Sequence, residues 1–154
     1  MQKELVILDE DKQWMKNRIA ELDEQIQALG PEFHDVFNQS SETWHDNAPF
    51  DALRDRQSVL DAERQHLRTI LRNSLPAVPK QRHGEVGIGS VVRLEDGESY
   101  LIAGDWTPWA GHTRNGTMTI SCNAPLAQGL RGKRAGEYME GSQLVKIIGI
   151  EYIQ

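Results

Sequence analysis

A short polar segment, residues 40–47, carries the side chains of this sequence that are best suited to chemistry. It contains two acids, Glu42 and Asp46, together with Trp44 and His45. Carboxylate oxygens are the hard ligands that Mg²⁺ prefers, and an imidazole can exchange a proton near neutral pH. We interpret His45 as a bystander, because it is an isolated histidine beside an acid. The two carboxylates and the indole are therefore the candidates for contact with a partner.

Apolar residues at heptad spacing flank this segment and predict two helices that pack through one seam. Before the segment the pattern comprises Met15, Ile19, Leu22, Ile26, Leu29, Phe33 and Val36. After it the pattern comprises Phe50, Leu53, Leu60, Leu67 and Leu71, with polar Gln57 and Arg64 at two seam positions. Because the segment between the two patterns is short, we expect an antiparallel coiled-coil hairpin over residues 1–75, with its tip near residues 39–47.

The ends of the two helices are predicted from capping residues and prolines. Asp9 or Asp11 can cap the first helix, which should run to about residue 38. Gly30-Pro31 is expected to interrupt it, because proline removes a backbone hydrogen bond and usually kinks or restarts a helix. The second helix is expected to begin at residue 46 or 47, with Pro49 in its first turn, and to end near residue 73.

The second half of the chain has the pattern of a small β-rich domain. Residues 76–82, with two prolines and no periodicity, are predicted to form a linker to a domain over residues 83–154. Strands are predicted over residues 90–94, 99–103, 118–121 and 144–153. A short helix is predicted over residues 124–130, with proline near its start. The fold class is therefore predicted to be α+β, a helical hairpin followed by a small α+β domain.

Composition excludes several classes of protein. The formal net charge of −6 argues against gripping duplex DNA by bulk charge. The single cysteine, Cys122, excludes an internal disulfide and an all-cysteine metal site, and we predict it to be inert core. No apolar run is long enough to cross a membrane, and the first residues lack a signal-peptide pattern. We therefore expect a cytoplasmic protein with no membrane partner.

Two sets of residues allow two interpretations each. Arg64, Arg68 and Arg72 recur every four residues on the second helix, in a segment that is basic where residues 1–46 are acidic. This stripe could contact a nucleic-acid backbone, or it could pair with the acidic first helix. Trp106 and Trp109 could pack against the core of the second domain, or could anchor an interface.

Two segments resemble the signatures of Gre-type transcript cleavage factors. Residues 120–133, ISCNAPLAQGLRGK, resemble the family's strand ending in Ser-x-x-Ser-Pro, followed by a short helix and a Gly-Lys turn, with Ala124 in place of the second serine. Residues 46–57, DNAPFDALRDRQ, resemble its acid-Asn-Ala-x-aromatic start of the second hairpin helix. Gly30-Pro31-Glu32 falls where these factors carry a proline. The resemblance covers nearly the whole chain, in the same order.

The resemblance implies a function in transcription. Factors of this family bind bacterial RNA polymerase through an FKBP-like C-terminal domain and insert the hairpin into the secondary channel of the polymerase. Carboxylates at the tip then help to hold a second Mg²⁺, so that the polymerase cuts its own backtracked RNA near the 3′ end. A factor of this kind is not an enzyme by itself, and we expect it to act as a monomer.

The resemblance also assigns roles to residues at the tip. Asp46 matches the family's acid before Asn-Ala and is the first candidate for orienting the metal, although it could instead only cap the second helix. The family's second acid falls at Thr43, so Glu42 either reaches the metal from one residue away or has lost that role. Trp44 could wedge against the channel or stack on a base, or could fold back on the hairpin.

Further roles are assigned along the hairpin and in the second domain. Contacts with RNA or polymerase are implied for Trp44, Asn47, Phe50, Arg54, Arg64 and Arg68. Docking on polymerase is implied for Trp106, Trp109 and Pro125.

Two other functions remain open from the sequence. A channel regulator that inhibits polymerase without inducing cleavage is favoured by the shifted acid and by Trp44. A coiled-coil dimerisation module would need a second apolar stripe on the outside of the hairpin, and the sequence shows none.

Overall fold

The computed structural model describes residues 4–40, 48–139 and 145–153. Two long helices, α1 (Asp9–Ser40) and α2 (Ala48–Arg72), account for most of the first half of the chain. Near the start of α1, Arg18 forms an ion pair with Glu63 in the second half of α2. Closer to residues 41–47, Phe33 meets Phe50. The two helices therefore run antiparallel, as the heptad pattern predicts.

Helix α1 differs from the expectation at one point. It is continuous through Gly30 and Pro31, where the sequence predicts an interruption. Proline removes only its own N–H donor from the ladder, and the hydrogen bonds of neighbouring turns can carry a long helix past that gap. Three acids, Asp9, Glu10 and Asp11, occupy the first turn of α1, where they are favoured by the positive end of the helix dipole.

The apolar seam between the helices is narrow. Its buried members are Met15, Leu22, Leu29, Leu60 and Leu67. Their spacing of seven residues in each helix is the period of a coiled-coil seam. Ile70 is buried as well, although the sequence pattern places Leu71 rather than Ile70 in the seam. Near residues 41–47 the seam residues Phe33, Val36, Phe50 and Leu53 are only partly buried.

The second half of the chain forms a five-stranded mixed sheet and one short helix. The strands are β1 (Ser90–Leu94), β2 (Ser99–Ala103), β3 (Thr113–Arg114), β4 (Thr117–Ser121) and β5 (Ile147–Tyr152), in the order β3-β4-β2-β1-β5. β2 and β4 are parallel and the other neighbours are antiparallel. The helix α3 (Pro125–Leu130) follows β4. The predicted α+β architecture of hairpin and small sheet domain is confirmed.

The elements of the sheet largely match the predicted ones. A tight turn joins β1 to β2, with Gly97 at a φ of 93° that favours glycine. The strand β3 was not predicted, because two residues, Thr113 and Arg114, are too short to show alternation. β5 is shorter than the predicted terminal strand, in which residue 144 lies outside the described residues.

One face of the sheet and α3 enclose an apolar core. The buried residues of this core are Leu8, Val86, Ile88, Val92, Leu94, Ile102, Ala103, Ile120, Cys122, Ala127, Leu130 and Ile147. The predicted inert position of Cys122 is confirmed, because its side chain is buried in this core. Burial is also the main cause that raises the pKa of the Cys122 thiol, which disfavours the reactive thiolate.

The chain divides into two compact units whose boundaries differ from the predicted ones. One unit comprises residues 13–72, and the other combines the segment up to residue 12 with residues 73 onwards. The segment before α1 belongs with the sheet because Leu5 exchanges backbone hydrogen bonds with Asn73 and Leu75, at 2.7 and 2.8 Å. Within the predicted linker, Val78 packs against the apolar core. The predicted hairpin range of residues 1–75 therefore includes a first segment that clusters with the sheet domain.

Candidate functional site

An aromatic contact joins the two helices toward the ends that flank residues 41–47. Phe33 of α1 and Phe50 of α2 meet edge to face, with ring centroids 5.6 Å apart. The guanidinium of Arg54 lies 6.0 Å from the centroid of the Phe50 ring, at the outer limit of a cation–π contact. Phe50 therefore links the two helices on one side and positions Arg54 on the other, a few residues from the start of α2.

The predicted residues of the tip itself lie outside the described residues. These are Glu42, Thr43, Trp44, His45, Asp46 and Asn47. The structure bears on them through the two helix ends that they connect. Helix α1 ends at Ser40 and helix α2 begins at Ala48.

The arginine stripe of α2 pairs with acids over most of its length. Arg64 binds Asp23 of α1 at 2.6 Å and Asp61 of α2 at 2.7 Å. Arg68 lies 3.5 Å from Asp23. The hydrogen bond to Asp23 is the main cause that raises the pKa of Arg64. For Arg64 and Arg68 the structure thus shows the pairing interpretation, in which the cations are shared with the acidic helix.

Position along α2 separates Arg54 from the other two arginines. At 1.5 Å per residue, Arg54 is about 9 Å from the start of α2, whereas Arg64 is about 24 Å from it. No ion pair to Arg54 occurs within the described part of the chain. Among the predicted contact residues that the structure describes, Arg54 therefore has the exposed charge nearest to residues 41–47.

The two tryptophans of the sheet domain occupy a loop after β2. Trp109 is partly buried, and the guanidinium of Arg114 stacks on its ring at 4.5 Å from the centroid. Arg114 also binds Glu10 at 3.0 Å. Trp106 is partly buried as well, and Pro125 is exposed at the start of α3. Trp109 thus has a packing role within the domain, while all three predicted docking residues retain some exposed surface.

A buried acid, Asp11, is a feature that the sequence analysis missed. Only 2 % of Asp11 is exposed, and its Oδ2 has no hydrogen-bond partner among the described residues. Burial raises the pKa of this carboxyl to about 6, and a hydrogen bond with Thr107 opposes that rise. From the sequence, Asp11 is predicted only as a possible helix cap. The spacing of apolar residues gives no signal that one acid in the first turn of a helix is buried.

Asp105 is a second unpredicted polar residue, and it organises the loop that carries the tryptophans. Its Oδ2 accepts the backbone N–H of Val6 at 2.7 Å. Its Oδ1 accepts the side-chain amide of Asn123 at 3.0 Å. One carboxylate thus joins the N-terminal segment, the loop after β2 and the loop after β4, which positions the start of α3.

The described residues contain neither a cluster of metal-ligating side chains nor a helix that could cross a membrane. No group of three or more His, Cys, Asp or Glu side chains in residues 4–40, 48–139 and 145–153 could hold a metal ion. None of the helices in these ranges is long and apolar enough to cross a membrane.

A hairpin of two long helices joined to a small mixed-sheet domain defines the class of this protein. Within that class, the chain is similar to the transcription elongation factor GreA of Paracoccus denitrificans, at 29% identity over 118 residues, covering 70% of the chain and 72% of the relative. It is also similar to GreA of Nautilia profundicola, at 32% identity over 101 residues, covering 62% of the chain and 59% of the relative. No family model matches the chain.

The solved structures to which the chain is similar include two proteins called Gfh1. The Thermus thermophilus GreA factor homolog 1 is 20% identical, with a TM-score of 0.40, and covers 97% of the chain and 99% of the neighbour. Gfh1 of Thermus aquaticus is 19% identical, with a TM-score of 0.39, and covers 96% of the chain and 98% of the neighbour. The curated relatives bear out the resemblance to Gre-type factors that the sequence shows.

Proposed function

We propose that this protein acts on bacterial RNA polymerase during elongation, by inserting the end of its hairpin into the secondary channel. The observation that carries the proposal is the aromatic contact between Phe33 and Phe50, which joins the two helices toward the ends that flank residues 41–47. This contact joins the two helices that precede and follow the segment containing Glu42 and Asp46 in the sequence. A paired rod can present such acids inside a channel that would exclude a globular domain.

The chemistry proposed for the tip is stimulation of RNA cleavage by the polymerase itself. A second Mg²⁺, when bound in the polymerase active site, would stabilise charge on the attacking and leaving oxygens of a phosphodiester. Glu42 and Asp46 have the carboxylate oxygens that this ion prefers, and one or two such ligands suffice because Mg²⁺ usually keeps several waters. The protein is then a stimulator and not an enzyme by itself. The ion would be shared with the polymerase.

The described residues support this role in three ways. Arg54 presents a positive charge near the tip, where a phosphate of extruded RNA would lie. Arg64 and Arg68 pair with Asp23, which keeps the remote part of α2 from competing for the RNA. In the sheet domain, Trp106, Trp109 and Pro125 offer partly exposed apolar surface for docking on polymerase.

A second candidate is a channel regulator that inhibits polymerase without inducing cleavage. The observation in its favour is the sequence of the tip, where Thr43 occupies the position of the family's second acid and Trp44 adds a bulky ring. With Asp46 alone, the tip would block the channel while holding the ion too weakly for catalysis.

The deciding experiment adds the full chain to backtracked polymerase carrying RNA labelled at its 3′ end. Cleavage predicts release of short labelled fragments, at least tenfold slower with Asp46→Ala. The matched control is Asp51→Ala, which removes the same charge from the exposed first turn of α2 and should cleave like the wild type. Intact RNA with slowed elongation would support the inhibitory candidate. A photo-reactive residue at position 44 that labels no polymerase subunit or RNA would contradict both.

A further inference from the structure

Five of the positive side chains in the sheet domain are concentrated in two short segments. Lys80 and Arg82 belong to the segment before β1, and Arg131, Lys133 and Arg134 follow α3. We refer to these five residues as the basic patch. Glu85 is the only acid within residues 80–86 and 131–134, although the protein as a whole has a net charge of −6. The patch is thus a positively charged region of a protein whose net charge is negative.

Backbone hydrogen bonds bring the two segments of the patch together. The N–H of Val86 donates to the carbonyl of Lys133 at 2.8 Å, and the N–H of Gly132 donates to the carbonyl of Val86 at 2.8 Å. An antiparallel bridge also pairs Glu85 with Arg134. Because main-chain pairing fixes this arrangement, the positive charges stay adjacent without any side-chain contact between them.

Most of the patch is not neutralised. Arg134 binds Glu85 at 3.2 Å and donates to the carbonyl of His83 at 3.3 Å, so it has a structural role across residues 83–85. Within the described part of the chain no ion pair involves Lys80, Arg82, Arg131 or Lys133. The arginines of α2 offer a contrast, since Arg64 and Arg68 are paired with Asp23.

A groove of about 350 Å³ borders the patch. Lys80, Gln81 and His83 line its polar side, and Ile88 contributes to its apolar side. The ring of Tyr152 also lines it, with 40% of the residue exposed, and the Tyr152 hydroxyl donates to the carbonyl of Glu85. The hydroxyl bond thus ties the aromatic ring to Glu85, which pairs with Arg134 of the patch, and Lys80 of the patch lines the same groove.

We infer that the basic patch and this groove bind single-stranded nucleic acid. Phosphates lie against Arg82, Arg131 and Lys133, and one base stacks on Tyr152. An aromatic platform beside unpaired cations is the arrangement by which proteins hold single strands, because every base has a flat face and every linkage has a charge. The inference goes beyond the function proposed for the hairpin, because it concerns the other unit of the chain and needs no polymerase.

Single strands fit the observations better than two other polyanions. In duplex DNA the bases are stacked on one another, so no base would be free to stack on the exposed Tyr152 ring. An acidic peptide would use the cations but would gain little from the aromatic ring. Stacking is worth about 1–3 kcal/mol per base, so the loss on removing Tyr152 separates these possibilities.

The experiment measures binding of a fluorescent 12-nucleotide single-stranded RNA to the full chain by anisotropy at low salt. Arg131→Gln should weaken binding about five-fold. Its control is Arg93→Gln, which removes the same charge from an exposed arginine of the same sheet domain that lies outside the patch and is paired with Glu151, and it should change binding less than two-fold. With Arg131→Gln and Lys133→Gln combined, the slope of log affinity against log salt should fall by about 1.4, since each phosphate contact contributes about 0.7 for single strands.

The aromatic residue gives an independent test. Tyr152→Ala should weaken binding about ten-fold, and Tyr152→Phe, which keeps the ring, should recover most of that loss. Circular dichroism of each variant checks that the domain is folded. An equal loss of RNA affinity in Arg93→Gln and Arg131→Gln would overturn the inference, since it would show that the RNA is attracted by the overall charge and not by the patch. Equal affinity for duplex DNA or for poly-glutamate, or no effect of Tyr152→Ala, would overturn it as well.

Discussion

The hairpin and the sheet domain are stabilised by different kinds of contact. In the hairpin the buried seam has one large apolar residue every seven positions of each helix, such as Leu22 and Leu29. Ion pairs such as Arg18–Glu63 and Arg64–Asp23 flank that seam. The sheet domain instead encloses twelve buried residues in one cluster. A narrow seam leaves most of each helix surface for solvent and partners, whereas a closed core gives the domain its stability.

The comparison predicts unequal costs for equal deletions in the two regions. Ile102→Ala in the sheet core should lower the free energy of unfolding by about 4 kcal/mol, because a closed core collapses little around a cavity. Leu22→Ala in the seam should cost about 2 kcal/mol, because two helices can move together. Hydrogen exchange measured by mass spectrometry reports each region separately.

The control for these two substitutions is Val59→Ala on α2, because 68% of Val59 is exposed. That change should alter protection by less than about 0.5 kcal/mol. An equal loss of protection from Ile102→Ala and Leu22→Ala would contradict the distinction between a closed core and an open seam.

Asp11 predicts a pH dependence that is confined to the sheet domain. Because its pKa is raised from 3.8 to about 6 in the folded state, folding favours the protonated carboxyl. The corresponding stabilisation is complete below pH 3.8 and is lost as the pH rises through about 6. The difference amounts to about 3 kcal/mol, at 1.36 kcal/mol per pKa unit.

The measurement for Asp11 is urea unfolding of the wild type and of Asp11→Asn between pH 3.5 and 7.5, on the order of one point every half pH unit. The wild type should lose stability relative to Asp11→Asn as the pH rises through this range. Thr107→Val should move the transition to higher pH, because the hydrogen bond from Thr107 lowers the pKa. Parallel curves for the wild type and Asp11→Asn would contradict the burial of a titrating carboxyl.

The hairpin should show the opposite dependence through its ion pairs. Arg18 binds Glu63 through two hydrogen bonds, at 2.5 and 3.0 Å, and this contact lowers the pKa of Glu63. The stabilisation is therefore present above the unfolded pKa of about 4.5 and is lost as the pH falls through the lower folded value. Because both side chains are partly exposed, the coupling should be only about 1 kcal/mol.

A double-mutant cycle with Arg18→Gln and Glu63→Gln measures this coupling at low and high salt. The coupling should shrink with added salt, which screens exposed pairs. The same cycle on Arg93 and Glu151 of the sheet domain, where the side chains are about 60% exposed, should give less than about 0.5 kcal/mol. A larger coupling for Arg93–Glu151 than for Arg18–Glu63 would contradict the special contribution of ion pairs to the hairpin.

The sequence predicts the elements of both regions well and their grouping less well. Periodicity identifies the seam because burial on one helix face requires apolar residues at fixed spacing, as at Leu22 and Leu60. It cannot show that the segment around Leu5 pairs with Asn73 and Leu75, since those bonds join main-chain atoms far apart in sequence. The clustering of the segment up to residue 12 with the sheet domain is therefore not visible in the local pattern.

The candidate sites also differ in whether a local sequence pattern or a contact between distant segments reveals them. The tip acids Glu42 and Asp46 are visible in the sequence through a local motif, and their roles stay predictions. The burial of Asp11 and the pairing of Arg64 with Asp23 depend on contacts between distant segments, so local pattern cannot decide them. The basic patch is divided between residues 80–82 and 131–134, and only the fold brings these segments together.

The smallest predicted effect concerns Gly30, where the hairpin helix is continuous although the sequence predicts a break. A β-carbon built at Gly30 meets no atom within 4 Å, so Gly30→Ala introduces no clash. Alanine loses less backbone entropy than glycine in a helix, and the change should stabilise the hairpin by about 0.7 kcal/mol.

The matched control is Gly97→Ala in the turn between β1 and β2, where a φ of 93° makes alanine unfavourable and the sheet domain should lose stability. Hydrogen exchange of α1 should slow in Gly30→Ala; faster exchange would mean that α1 is interrupted at Gly30-Pro31 after all, and that each half of the hairpin is stabilised separately.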